Sequence, residues 1–347
     1  MKKITYYVQR YRPDYEAISK EVQLLANHFS QNNTVKVHDL HLDGLLTAKF
    51  SLALRSFHFA YYPLLLPYTY LLSRKSDLNH IYTSLGDLPY LSVLDLQRTI
   101  LTAAASCHLA KIQKRMKYLS QLRKIIVESG KQQQELISLG MPPDKIELIY
   151  PPVDLAAFSY EPKIAGPFTI LYASCPTRKE DFEKRGIYLL LDCAEREKKV
   201  QFLLPWRKGA YDQIQREIRQ RARENVQCHQ GIHPHMNNQY ALAHGTIIPY
   251  TRYDDYLKLI PNSAIESLAA GKPLLVSTKT EMAEIVKNEK CGVIFEPTPE
   301  DLTRAIKELQ RHYHSYQRNC RKTAEKYFSH QLFLKKYEQV YSSITAR

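Results

Sequence analysis

No Cys-x-x-Cys pair occurs among the six cysteines of the chain, Cys107, Cys175, Cys193, Cys228, Cys291 and Cys320. Their scatter argues against a disulfide framework and suits free thiols in a reducing compartment. The phosphate-cradling P-loop and the Gly-x-Ser-x-Gly nucleophile elbow are also missing, which removes support for ATPase and serine-hydrolase readings. No apolar run is long enough for a membrane span. The most membrane-like stretch, FAYYPLLLPYTYLLS from Phe59 to Ser73, falls short of the roughly 20 residues required and is interrupted by Pro63 and Pro67. The opening MKKITYYVQRYRPDYE lacks the apolar core of a signal peptide. No long low-complexity tract argues for disorder. These absences together predict a soluble, cytoplasmic chain.

What is present is size, apolar content and positive charge. The 347 residues suit two domains of similar size, and an apolar fraction of 44% supplies both cores. The net charge of +14 favours phosphates, whether on nucleic acid, anionic lipid or a nucleotide. The densest basic run, KIQKRMKYLSQLRK from Lys111 to Lys124, holds no acidic residue; it reads either as a solvated helix face or as a contact to an anionic surface. The aromatic and basic stretch from Lys49 to Lys75 reads either as core helices or as a surface for lipid headgroups or an amphiphilic acceptor.

Short apolar strands alternate with helix-period segments along the whole chain. ITYYV, TVKVHDL, HIYTSLG, TILTAAA, KIIVES and KIELIYPPVD read as strands in the first half, with the region from Phe50 to Ser73 the least regular. FTILYAS, VQFLLPW, NVQCH, GTIIPY, PLLVST and GVIFEP succeed them in the second, with helices between. This pattern predicts parallel, doubly wound sheets. Tyr150-Pro151-Pro152-Val153-Asp154 cannot continue a central strand, and Pro162, Gly166 and Pro167 punctuate the next stretch of chain. The expected organisation is a first domain over 1–160, a second over 161–325, and a C-terminal helix over 326–347 that packs back on the first.

PNSAIESLAAGKPLLVST, Pro261 to Thr278, carries one glutamate among small and apolar residues. One reading is a capping box, with Ser263 capping a helix, Glu266 bonding back and Gly271 ending it. The other is chemical. A helix N-terminus at the carboxyl edge of a parallel sheet presents free N–H groups to a diphosphate, and a carboxylate one turn in accepts hydrogen bonds from vicinal sugar hydroxyls. The two are compatible.

The ordered series IIPY, PNSAIESLAAGKPLLVST, EMAEIV, CGVIFEP and EDLTRAI resembles the nucleotide-binding half of GT-B glycosyltransferases, in particular glycosyltransferase family four. KIIVESGKQQQELISLGMPPDKIELIYPPVDLAAF resembles the segment those enzymes place before their domain linker, and EKRGIYLLLDCA the basic loop and helix after the first strand of their second domain. The resemblance covers about two-thirds of the chain. It implies an α/β GT-B architecture of two Rossmann-like domains facing across a cleft, the first on the acceptor side and the second binding a nucleotide-sugar. It also implies a hexosyltransferase-like enzyme that moves a sugar from a nucleotide-diphosphate sugar to a hydroxyl acceptor in glycan biosynthesis, retaining and without a metal or other cofactor.

Carried over by position, Glu266 is the carboxylate expected on the ribose, and backbone groups of Asn262, Ser263 and Ala264 face the diphosphate. Lys184 or Arg185 supplies the basic side chain at the phosphates, and Gly231 lies near the loop that holds the base. Arg178 takes the place of an arginine that would otherwise fall near Cys175. Family members often carry a second glutamate eight positions before the ribose-binding one, on the donor sugar; here that position is Lys258, with Asp254 and Asp255 close by. The glycine pair common after the first strand is replaced by RYRPDYEA. His80 is the candidate catalytic histidine, placed at a strand end, with His108 behind it.

The implied partners are a nucleotide-sugar donor and a glycan or lipid-linked acceptor, with an anionic membrane surface as a further candidate and a location in the cytoplasm or on the inner face of the membrane. Nucleic acid is not expected. CHQGIHPH, Cys228 to His235, has one thiol and three imidazoles, but its spacing matches no tetrahedral zinc pattern. Three other readings remain beside transfer: a nucleotide-sugar-binding protein of weak activity, an epimerase of the same fold, and a basic nucleic-acid-binding protein.

Overall fold

Runs such as Ile4 to Val8 and Ile125 to Val127 are buried on successive residues, the pattern of a strand covered on both faces, and they form parallel sheets. The computed structural model describes the chain apart from residues 9–10, 15, 41–57, 86–88, 161–165, 208, 222–223, 232, 234, 255–256 and 346–347. The side chains of residues 58–65 and 345 are likewise outside the description. The chain divides into two compact units. The first comprises Met1–Pro151, Asp255–Lys258 and Leu334–Arg347, and the second Pro152–Asp254 and Leu259–Phe333.

In the first unit, β1 (Lys3–Val8), β2 (Thr34–Asp39), β3 (Leu78–Thr83), β4 (Thr99–Ala103), β5 (Lys124–Val127) and β6 (Ile146–Leu148) form a parallel sheet of order β2-β1-β3-β4-β5-β6. The chain runs outward in both directions from the β1/β3 pair, so helices cover both faces. On one face α2 (His58–Arg74), α3 (Leu109–Leu119) and α4 (Gly130–Ser138) set Leu72, Ile112, Leu119 and Leu136 on Tyr7, Ile81, Leu101 and Ile125. The other face carries α1 (Ala17–Phe29), where Phe29 stacks on Tyr341 with ring centroids 4.4 Å apart.

Of the two readings given for Lys49 to Lys75, α2 is the helical one, in the described part of the stretch whose sequence is least regular. Pro67 lies inside it, and tertiary packing of Leu66 and Leu72 overrides what proline costs a helix. Residues 50–57 lie outside the described residues. Among the described residues no helix is long and apolar enough to cross a membrane.

The second unit repeats the plan with β7 (Thr169–Leu171), β8 (Gln201–Trp206), β9 (Val226–Gln230), β10 (Gly245–Ile248), β11 (Leu274–Ser277) and β12 (Gly292–Phe295), all parallel, in the order β12-β11-β10-β7-β8-β9. One face carries α5 (Ile187–Arg196), α6 (Tyr211–Gln220) and α10 (Pro299–Arg311), whose Leu190, Ile214 and Leu302 pack on Ile170, Phe202 and Leu275. Tyr240 of α7 (Met236–Ala241) and Ala270, just past α8 (Asn262–Ala269), cover Leu171 and Leu203. The remaining helices are α9 (Met282–Glu289), α11 (Tyr313–Phe328) and α12 (His330–Thr345).

The first unit ends at Pro151, ahead of the expected boundary at 160. Arg321 on α11 is the reason: its guanidinium donates to the carbonyls of Leu155 (2.9 Å), Phe158 (2.9 Å) and Ala269 (2.8 Å), fastening the segment after Pro152 into the second unit. At the other end the chain joins the first unit from Leu334, within α12.

Candidate functional site

The second unit gathers its chemistry at the carboxyl ends of β7 and β10, which are neighbours in the sheet and so bring their succeeding loops to one edge. The loop after β7 contains Arg178 to Gly186. Gly186 adopts φ 72°, and a Cβ there would lie 1.7 Å from the carbonyl oxygen of Pro249, just past β10. Two bonds add to this contact: the Thr251 N–H donates to the Lys184 carbonyl (3.1 Å) and the Thr251 hydroxyl to the Glu183 carbonyl (2.9 Å). The basic loop is therefore held by its backbone, leaving its side chains for other work.

Those side chains converge on Asp181. Lys184 Nζ lies 3.0 Å from Asp181 Oδ1 and 3.5 Å from Asp254 Oδ2, and the Arg178 guanidinium donates to both Asp181 oxygens at 3.3 Å. Burial by itself would raise the Asp181 carboxyl, but Lys184 and Arg178 outweigh it and hold it below the usual carboxylate range. Arg185 donates to Ser174 Oγ (3.1 Å) and sits 5.9 Å from the Tyr250 ring centroid. The expected residues Arg178 and Lys184 are thus brought together, by an aspartate that was not among the expected site residues. Its spacing, three residues from each cation, is the signal the sequence holds for it.

The helix at the neighbouring strand end starts differently from the capping-box expectation. Pro261, in extended backbone at φ −71° and ψ 140°, is the residue before α8, and no side chain caps the helix. Ser263 lies inside the first turn and is buried, so the reciprocal Ser263–Glu266 cap does not form. The Ala264 N–H donates to the Pro261 carbonyl at 2.9 Å, which corrects the expectation that Ala264 faces a diphosphate. Helix geometry leaves the N–H groups of Asn262 and Ser263 without an intrahelical acceptor.

Glu266, half-buried one turn into α8, is oriented by Tyr240. The tyrosine hydroxyl lies 3.0 Å from Glu266 Oε2 and 3.1 Å from the Ser263 carbonyl. Burial, and then the Glu266 charge, push the Tyr240 hydroxyl well above its ordinary range, so it remains a donor. Asn262 Oδ1 is buried without a hydrogen-bond partner at the start of the same helix. Nothing in the sequence pattern points to Tyr240, which comes from the preceding helix.

Gly231 comes just after β9, three strands from β10 in the sheet order, a lateral separation of about 14 Å. Among the described residues, a Cβ there would meet the His233 ring alone, at 3.8 Å, an ordinary contact. In the strand before Gly231, Cys228 of β9 has its thiol pushed up to about 12 by burial, the reverse of what a metal-binding thiolate needs. Among the described residues no three His, Cys, Asp or Glu side chains are grouped to hold a metal ion.

The first unit corrects two further expectations. His80 is the third residue of β3, not a strand end, and has no exposure. Its Nδ1 is 2.6 Å from the Tyr341 hydroxyl and its Nε2 2.8 Å from Thr102 Oγ1. Burial lowers the ring to about 3, so it stays neutral in a hydrogen-bonded core and cannot touch a substrate. Lys258 belongs to the first unit, where its ammonium lies 2.8 Å from Glu21 Oε1 and 3.0 Å from Glu128 Oε2. Its charge is engaged there, which corrects its assignment to the donor. Asp255 lies outside the described residues.

Residues 179–312 match the family model for glycosyl transferases group 1, a span that holds the basic loop from Lys179 onward, Tyr240, α8 and Glu266. No curated protein matches the chain by sequence. Solved structures resemble it over nearly its whole length at low identity. Anabaena HepE, solved with UDP and glucose, is 15% identical with a TM-score of 0.75, covering 99% of this chain and 100% of that one. A glycosyltransferase from Rickettsia africae is 14% identical with a TM-score of 0.76, covering 99% and 98%. Sucrose-phosphate synthase from Thermosynechococcus elongatus is 15% identical with a TM-score of 0.79, covering 99% of each chain. The shared two-unit α/β architecture gives this chain the GT-B fold, and its residues 179–312 are similar to the glycosyl transferases group 1 family.

Proposed function

We propose that the chain transfers a sugar from a nucleotide-diphosphate sugar to a hydroxyl of a polysaccharide, glycolipid or other glycoconjugate, with retention and without a metal ion. The observation that carries this is Glu266, held by Tyr240 one turn into α8. There its carboxylate suits the vicinal hydroxyls of a ribose, while the N–H groups of Asn262 and Ser263 and the helix dipole suit the diphosphate. Lys184 and Arg185 would neutralise the charge that develops on the leaving diphosphate. The rest of the acceleration would come from positioning the acceptor hydroxyl at the anomeric carbon. Uridine is the first base to test, because Anabaena HepE was solved with UDP and with UDP-glucose.

Calorimetry with UDP, GDP, ADP and their common sugar conjugates tests the reading. One nucleotide family is expected to bind, with Glu266→Ala weakening it about 10- to 100-fold, the worth of hydrogen bonds to a charged group. The variant keeps its fold, because the Tyr240 hydroxyl retains the Ser263 carbonyl. Binding that ignores the substitution would remove Glu266 from the ribose. A second reading, a nucleotide-sugar-binding protein of weak activity, is favoured by the engagement of Lys258 with Glu21 and Glu128; donor binding without turnover across an acceptor panel would decide for it.

An anionic membrane surface belongs to the same proposal. Tyr68, Tyr70 and Leu71 on α2 are 55%, 44% and 57% exposed. Helix α3, which packs on the same sheet face, exposes Lys111, Lys114 and Lys117 and has no acidic residue. Exposed apolar side chains and cations on one face of the sheet suit a headgroup layer. Co-sedimentation with phosphatidylglycerol vesicles, and not with phosphatidylcholine vesicles, is expected, and Tyr68→Ser with Leu71→Ser should reduce it severalfold. Equal behaviour on the two vesicle types would remove the membrane from the list of partners.

A further inference from the structure

Glu21 on α1 and Glu128 just after β5 are 2% and 5% exposed, and Lys258 lies between them. Each carboxyl group gives one oxygen to the ammonium, at 2.8 Å and 3.0 Å. The other two, Glu21 Oε2 and Glu128 Oε1, are buried without a hydrogen-bond partner. Two carboxylates around one ammonium leave a net negative charge inside the first unit, a costly arrangement in a medium of low polarity. Among the described residues, Tyr82 of β3 and Tyr337 of α12 also act on the cluster. Burial pushes both hydroxyls well above their ordinary range, so they are neutral and supply no balancing charge.

One proton resolves the charge and the missing bonds together. Placed on Glu128, it brings the three charges to neutrality and supplies a donor next to Glu21, which already acts on the Glu128 carboxyl by charge and hydrogen bonding. We infer that Glu21 and Glu128 share a single proton beside Lys258, and that this neutral cluster holds Lys258 in the first unit. Lys258 is then a positioning residue and not a donor-sugar contact. Consistent with this, burial first, and the Glu21 charge next, raise the Glu128 carboxyl well above its usual range, with Lys258 opposing them only in part. Its amide analogue, glutamine, reproduces the shape and hydrogen bonding of the protonated acid. Every residue involved lies in the first unit, so loss of the shared proton would leave the nucleotide-sugar reading of the second unit untouched.

The test uses the full chain with Glu21→Gln, Glu128→Gln, the double variant, and the double variant combined with Lys258→Met. Charge counting sets the expected pattern. Each single variant keeps one carboxylate for one ammonium and should fold like the parent at pH 7. The double variant leaves the ammonium without a counter-charge and should unfold or melt far lower, and adding Lys258→Met should rescue it. The pH dependence has a definite sign. A carboxyl raised in the folded state adds stability that is complete below the unfolded value of about 4.3 and is lost as pH rises towards the folded value. Relative to Glu128→Gln, the parent's folding constant should therefore fall about tenfold per pH unit above that point. The infrared band of a protonated carboxylic acid should be present in the parent at pH 7 and absent from Glu128→Gln. Single variants as damaging as the double, a flat pH comparison, or no acid band would overturn the shared proton.

Discussion

Gly186→Ala is expected to lower the stability of the second unit by about 3 kcal/mol or more, and to weaken nucleotide binding with it. Two costs add. The left-handed backbone at φ 72° disfavours any residue with a Cβ by about 1–2 kcal/mol. The methyl group would also lie 1.7 Å from the Pro249 carbonyl oxygen, so the basic loop or the end of β10 must shift, a further 1–3 kcal/mol or so on the scale of overpacking. Because the same contact docks the loop that carries Lys184 and Arg185, the shift moves the side chains proposed for the diphosphate. Gly140→Ala provides the control. Gly140 has φ 87° but nothing within 4 Å of a built Cβ, so it incurs only the backbone cost. Thermal unfolding should drop by about 6–12 °C for Gly186→Ala and by about 2–8 °C for Gly140→Ala. Equal shifts would mean that the approach to Pro249 contributes nothing.

Lys258→Met should destabilise the first unit by about 3–5 kcal/mol, the usual result of removing one partner from a buried ion cluster. The methionine fills most of the lysine's volume, so packing loss is small and the effect is electrostatic. What remains is a buried carboxyl pair without its cation. Its loss should grow with pH, because acid supplies a second proton and neutralises the pair, whereas at pH 8 that proton is withheld. Unfolding measured at pH 5 and pH 8 separates this from lost packing. A drop of about 6–20 °C at pH 8, clearly smaller at pH 5, is the expected result; a drop independent of pH would assign the cost to packing.

The alternation of apolar runs with helical stretches carries the architecture, because a parallel strand covered on both faces must be apolar on successive residues and its crossover must be helical. The second half of the chain, from β7 to α10, is therefore legible segment by segment. The α2 segment is less so, since its residues suit core helices and a lipid-facing surface alike, and only packing on the first sheet decides between them. Within the candidate site, the local order of motifs places Glu266 and the basic loop, and the spacing of Arg178, Asp181 and Lys184 holds a signal of its own.

Sequence by itself determined the two sheets, the helix that carries Glu266 and the glycine of the basic loop, because each arises from the period of a segment or from a turn within a few residues. Tertiary structure alone decided where α8 starts, that Tyr240 orients Glu266, that His80 is core, and that Lys258 answers to Glu21 and Glu128. Those outcomes depend on burial and on partners far apart in the chain, Glu21 and Lys258 being 237 residues apart. A charged side chain's role is set by what surrounds it, and no local pattern encodes that neighbourhood.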